Sequence, residues 1–196
     1  RLMRDMNLPK MSTDRPGLHK RHEENGDCAN HLKQQFSQDA PNLVWVSDFT
    51  YIKAGGKWYY LCVVIDLFAR KVIAWHISAK PDVNLVMTAF QKAYETRNAP
   101  FGLMFHSDRG SQYTAFAFRQ LLDSRNVVQS FSKKGYPFDN AVCESFFRYL
   151  KKEETDRRTY ATLNDLKLSV FSYIEGYYNS KPVSYTHLTL PTNREV

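Results

Sequence analysis

Three acidic residues sit where an ordinary surface acid is out of place. Asp48 interrupts the apolar, aromatic run "VWVSDFTYI". Asp108 ends a second apolar run, in "FHSDRGSQY". Glu144 lies at the start of "AVCESFFRYL", just after a Gly/Pro-containing loop. Carboxylates are hard oxygen ligands, and Mg²⁺ or Mn²⁺ is commonly held by one or two of them together with waters and substrate phosphates. Two such ions about 3.5–4 Å apart would clamp an in-line phosphoryl displacement from both sides. Each acid taken alone also has a plainer role. A strand-tip Asp orders a turn, and a Glu in a first helical turn complements the helix dipole. Residue types and spacing do not by themselves make the three converge.

The elements that would have to position them are legible from texture. "LVWVSDFTYI" and "WYYLCVVID", separated by the Gly55–Gly56 turn, read as strands, the second apolar on both faces and therefore interior to its sheet. "RKVIAWHIS" reads as a third strand, and short connections make the three an antiparallel meander. Pro81 and Asp82 open a helix whose Val83, Val86, Met87, Phe90 and Tyr94 fall at helical spacing. "FGLMFHSD" is a fourth strand, "TAFAFRQLLDSR" a second helix and "VVQSFS" a fifth strand. The loop "KKGYPFDN" leads into a third helix, "AVCESFFRYLKKEE", with Asp139 or Asn140 available as its cap. A last helix spans about 162–178 with Thr162 as N-cap. The order βββ-α-β-α-β-α, then more helix, predicts an α/β fold: a five-stranded mixed sheet flanked by helices.

Composition bounds the class. The 196 residues are 43% hydrophobic, enough for a real core. No apolar run reaches the roughly 18 residues of a membrane span, and no signal-peptide pattern opens the chain. Three widely spaced Cys argue against a disulfide framework and for a reducing cytoplasm. The net charge of +7 is spread along the chain, which is weak evidence for a polyanionic partner. A start at Arg1 rather than Met reads as a fragment.

The segments "WVSDFTYI", "DLFARKVIAWHIS", "FHSDRGSQY" and "SFSKKGYPFDNAVCESFFRYLKKE" closely resemble the catalytic core of retroviral-type integrases, and most of all the second-frame transposases of IS-three-group insertion sequences. The resemblance runs from about residue 41 to 178. Between Asp108 and Glu144 lie 35 residues, the spacing for which the DDE motif of that family is named, and 59 lie between Asp48 and Asp108. It implies an RNase H-like fold, with three antiparallel strands followed by two parallel ones. It also implies that Asp48, Asp108 and Glu144 are the catalytic, metal-binding triad for two Mg²⁺ or Mn²⁺ ions. The implied activity is DNA transposition: phosphodiester cleavage and strand transfer with a DNA 3′-hydroxyl, by a dimer or larger assembly on transposon ends and target DNA. The implied setting is the bacterial cytoplasm, at the nucleoid. Two other readings share much of this basis. One is an RNase H-like nuclease cutting RNA–DNA hybrids with water; the other is an inactive, DNA-binding transposase remnant.

Around the triad, a helix turning about 100° per residue puts Cys143, Phe146, Phe147 and Leu150 on a core face. Glu144, Arg148 and Lys151 then share another. Arg148, Lys151 and Lys152 are candidate phosphate contacts, and Lys133, Lys134 and Tyr136 of the preceding loop are candidate DNA contacts. An i,i+4 Glu–Arg surface pair is the plain alternative for Arg148, and a solvated loop the plain alternative for the other three. Asp66 reads as structural, ordering a turn or pairing Arg70. His106 reads as a core histidine or a support for Asp108, Ser111 and Gln112 as loop or DNA hydrogen-bonders, and Arg109 as a phosphate contact or a carboxylate's neighbour. Gly110 is expected to let its loop bend. His19, His22, Cys28 and His31 resemble a zinc cluster only loosely, because their spacing departs from that of integrase zinc domains and no hydrophobic pattern surrounds them. Residues 1–40 read as a linker ending a truncated N-terminal DNA-binding region, so recognition of element ends is expected to lie outside this chain. Residues 179–196 read as an atypical tail, a frameshift or assembly artefact.

Overall fold

The computed structural model describes residues 28–98, 101–133 and 135–180. Five strands form one sheet: β1 (Val44–Ala54), β2 (Lys57–Asp66), β3 (Val72–Ser78), β4 (Met104–Ser107) and β5 (Val128–Phe131). Their order is β3-β2-β1-β4-β5. The first three are antiparallel neighbours, while β4 runs parallel to β1 and β5 parallel to β4. The expected mixed sheet is therefore present. β2 is interior, as its apolar texture predicts, but the middle strand is β1.

Alternation along the strands sorts side chains onto two buried faces. Val44, Val46, Leu61, Val63 and Ile65 face one helical layer, formed by α4 (Ala141–Leu150) and α5 (Leu163–Phe171). Trp45, Cys62, Val64 and Phe105 face the other, formed by α1 (Val83–Thr96) and α3 (Phe116–Asp123). On this second side Phe90 is packed edge-on against Trp45, Phe105 and Phe118. Leu32 and Phe36, in the polar segment ahead of β1, are buried in the first core although its described residues, 28–43, hold no helix or strand. Two isolated apolar residues give no period for a sequence reading to detect.

Helix starts follow their caps. Asp82 accepts the Leu85 N–H to open α1, and Thr162 and Asp165 form a capping box at α5. The second helix of the sequence reading, 114–125, is α3, and a turn precedes it in the stretch read as loop. A single turn, α2 (Ser111–Thr114), stops at Ala115, whose ψ of 137° is extended, before α3 begins. Both α4 and α5 run on into wider π-helical turns, Lys151–Thr155 and Ser172–Tyr178, each closed by an i→i+5 bond, Asp156 N–H to Lys151 O and Asn179 N–H to Ile174 O. Asn179 also pairs both ways with the Val72 backbone of β3. Among the described residues no helix is long and apolar enough to cross a membrane.

Candidate active site

The parallel pairing of β1 with β4 brings the first two acids together. Val46 is in register with His106. Asp48 lies two residues further along β1, and Asp108 is the first residue past the end of β4, where its charge acts on Asp48. Asp48 Oδ1 accepts the Phe49 N–H at 2.8 Å, and Asp108 Oδ1 accepts the Gly110 N–H at 2.9 Å. Glu144 comes from α4, one turn past the 3₁₀ turn Pro137–Asn140, on the exposed edge of a helix whose Cys143, Phe146, Phe147 and Leu150 are all buried. The face predicted from periodicity is the one observed.

The electrostatics register the crowding. Burial, then the charge of Asp108 and, more weakly, of Glu144, pushes the Asp48 carboxyl up to about 8, while Lys151 opposes the rise. Burial also raises Glu144. The buried Cys143 thiol, raised mainly by burial, feels Asp48, Glu144 and Asp108 alike. The three carboxylates therefore share one electrostatic neighbourhood. They do not close into a cage: among the described residues no three His, Cys, Asp or Glu side chains stand close enough to enclose an ion. An open set of hard oxygen donors, two of which raise the proton affinity of Asp48, fits Mg²⁺ or Mn²⁺ completing its shell with water and phosphate.

The cations lie around this edge. Lys151 Nζ sits 4.9 Å from the centre of the Tyr51 ring, and Arg148, exposed, lies over Tyr149 at 5.2 Å. Lys152 is exposed. Lys133 and Tyr136 are exposed and stacked on each other at 5.8 Å. Lys134 lies outside the described residues, as do His19 and His22.

Several neighbours differ from expectation. Neither Asp139 nor Asn140 caps α4 through its side chain. The Asp139 carboxylate instead accepts from Asn30 and Gln34 side chains and from the Lys133 N–H, tying the loop to the segment ahead of β1. Arg109 is held by main-chain partners. It donates to the carbonyls of Ser132 and Cys28, fastening the end of β5. Gly110 has an ordinary φ of −59°. What it supplies is room, since a Cβ there would lie 2.9 Å from Asp108 Oδ1 and 3.0 Å from Gln112 Oε1. Gln112 itself donates to the Pro81 carbonyl, and the Ser111 hydroxyl to Gln112 Oε1, so both order the loop. His106 is a core histidine, fully buried between the Ser130 and Ser132 hydroxyls and held down to a pKa of about 4 by that burial. Asp66 is structural, accepting the Asn42 and Phe68 N–H groups.

Sequence reading missed Ser47, Tyr113 and Asn140, which form bonds across 66 and 93 residues of chain. No local signal announces contacts of that range.

Comparison with known proteins accords with this architecture. Two families, both described as integrase core domain, match residues 38–137 and 144–190. The transposase for insertion sequence element IS904 of Lactococcus lactis is 39% identical over 152 residues, 78% of this chain and 60% of that protein. Transposase InsF for insertion sequence IS3A of Escherichia coli is 39% identical over 150 residues, covering 76% and 52%. The chain thus spans about half to three-fifths of the curated relatives it matches. Among solved structures, the catalytic domain of Mos1 mariner transposase superposes with a TM-score of 0.60 at 13% identity, covering 70% of this chain and 72% of that one. A chain of the simian T-cell lymphotropic virus intasome gives 0.56 at 14%, covering 86% and 60%. The five-stranded sheet with its helices is the RNase H-like fold of these catalytic cores.

Proposed function

The chain belongs to the integrase core domain family, and from that premise we propose that it is the catalytic core of a bacterial insertion-sequence transposase acting on DNA. The observation that carries this reading is the register of Asp48 beside Asp108, with the helix of Glu144 packed on the same face. When bound there, two Mg²⁺ or Mn²⁺ ions supply charge neutralisation and lower the pKa of an attacking water or DNA 3′-hydroxyl.

The chain's own residues provide the rest. Asp48 and Asp108 each commit Oδ1 to a backbone N–H, which restrains the carboxylate. Glu144 reaches in from a helix whose opposite face is locked in the core. Lys151, whose charge already acts on Asp48, stands where a phosphate of the scissile strand passes, with Arg148 and Lys152 further along the same edge. Lys133 and Tyr136 extend that surface, and Lys134 is assigned to it from sequence. Catalysis on this account is positioning and electrostatics, with no covalent protein–DNA intermediate. Pairing two DNA ends implies at least a dimer during reaction.

A three-substrate comparison tests the reading. Donor-end DNA, RNA–DNA hybrid and plain duplex are incubated with Mg²⁺ or Mn²⁺ and either the chain or its Asp108→Asn variant. Joining of donor ends into target DNA, lost in the variant, supports the proposal. Hybrid cleavage without joining assigns the same carboxylates to a nuclease, and binding without either reaction identifies a remnant.

A further inference from the structure

Ser47 immediately precedes Asp48 and is 1% exposed, yet it is polar. Its bonds explain why. The Ser47 hydroxyl donates to the Val63 carbonyl at 2.8 Å. A hydroxyl has one proton, so at the 2.9 Å contact between Ser47 Oγ and the Tyr113 hydroxyl it is Tyr113 that donates. The Ser47 carbonyl accepts Asn140 Nδ2 at 3.1 Å.

Each of these partners leads to another carboxylate. Tyr113 N–H donates to the Gly110 carbonyl, and Gly110 N–H donates to Asp108 Oδ1. Asn140 is the residue from which α4 departs, and Glu144 lies one turn on. Asn140 Oδ1 is buried without a partner, so that amide is kept for its single donated bond at the cost of an unsatisfied acceptor. Such an uncompensated group is tolerated where the bond it makes fixes something else.

We propose that Ser47 is a positioning hub, joined through Tyr113 to the Asp108 loop and through Asn140 to the Glu144 helix, which sets the mutual spacing of the three carboxylates for divalent-ion binding. This rests on the metal-dependent reading above. None of the three touches substrate on this account; they act through Asp48, Asp108 and Glu144. The coupling is physical contact along one chain of bonds, and a double-mutant cycle measures it.

The test uses the full chain and Mn²⁺ alone, with binding followed by the loss of the free-ion paramagnetic resonance signal. Tyr113→Phe keeps the ring in the core and removes only the hydroxyl. Ser47→Ala removes the acceptor. Each is expected to weaken Mn²⁺ binding about 10-fold, and the double variant no further than Ser47→Ala, which already breaks the shared bond as well as that to Val63. Asn140→Ala is expected to weaken binding independently, adding to either. Val86→Ala, on α1 in the core and making none of these bonds, is the stability control and is expected to bind as wild type. Variants that bind Mn²⁺ as tightly as wild type, or that weaken only as far as Val86→Ala does, overturn the hub while leaving the metal site standing. A wild-type chain that binds no Mn²⁺ overturns the metal-dependent reading and the hub with it.

Discussion

Asp48 on β1 and Asp108, the first residue past β4, are brought within reach of each other's charge by the parallel pairing of their strands, in which Val46 and His106 are in register. Two carboxylates so placed repel. The Asp48 carboxyl is accordingly raised from an ordinary 3.8 to about 8, first by burial and then by Asp108.

That repulsion has a signed consequence for stability. The folded chain holds the Asp48 proton more tightly than the unfolded chain does. The group's contribution is therefore fully favourable below pH 3.8 and is lost as pH rises through 8. Asp48→Asn keeps an acceptor for the Phe49 N–H but carries no charge. At pH 9 without metal it should be more stable than wild type by about 1–2 kcal/mol, the usual scale for relieving a strained functional site. The gap should shrink as pH falls towards 4. Added Mg²⁺ should stabilise wild type at pH 8 and leave the variant unchanged. Urea unfolding with and without Mg²⁺ checks both statements.

Gly110 makes a prediction that separates site geometry from stability. A methyl group there crowds the side-chain ends of Asp108 and Gln112 and no backbone atom, so Gly110→Ala should cost less than about 1 kcal/mol of stability. It nevertheless has to displace the Asp108 carboxylate, and small displacements at such a site are costly. Mn²⁺ affinity should fall about 10-fold while the urea midpoint barely moves.

His106 titrates in the opposite sense to Asp48. Burial depresses it from 6.5 to about 4. Its contribution is present above pH 6.5 and is lost as pH falls through that window towards 4. The loss amounts to about 3 kcal/mol. His106→Gln cannot take up that proton, so the stability of wild type relative to this variant should decline across the same range. An unchanged difference between pH 7 and pH 4 would refute the buried, neutral histidine.

Asp66, another strand-end acid, holds two backbone N–H groups rather than joining the acidic cluster. Asp66→Ala should destabilise the chain by about 2–3 kcal/mol by leaving those donors unpaired. Asp66→Asn, which retains one acceptor, should cost less and leave Mn²⁺ affinity intact.

These cases show which parts of the molecule a sequence reading reaches. The buried face of α4 was legible because Cys143, Phe146, Phe147 and Leu150 repeat at helical spacing, and Thr162 was legible as a cap because capping is local. The candidate acids were picked out by their intervals, yet their meeting depends on β4 pairing in parallel with β1, a long-range choice that no local pattern encodes. The break at Ala115 was hidden because the surrounding residues suit a helix well. The partners of Arg109 were out of reach for a related reason. Its partners are main-chain carbonyls at Cys28 and Ser132, and a carbonyl has no signature in sequence.

The central claim is that Asp48, Asp108 and Glu144 act together on divalent ions to join DNA. Its most direct measurement is strand transfer of donor-end DNA by the Glu144→Gln variant beside wild type, in Mg²⁺ and in Mn²⁺. Glu144 lies on the exposed edge of α4, so this variant should fold as wild type does. The account predicts that joining disappears with both ions while the unfolding midpoint is unchanged. Joining that persists in the folded variant at the wild-type rate would contradict it.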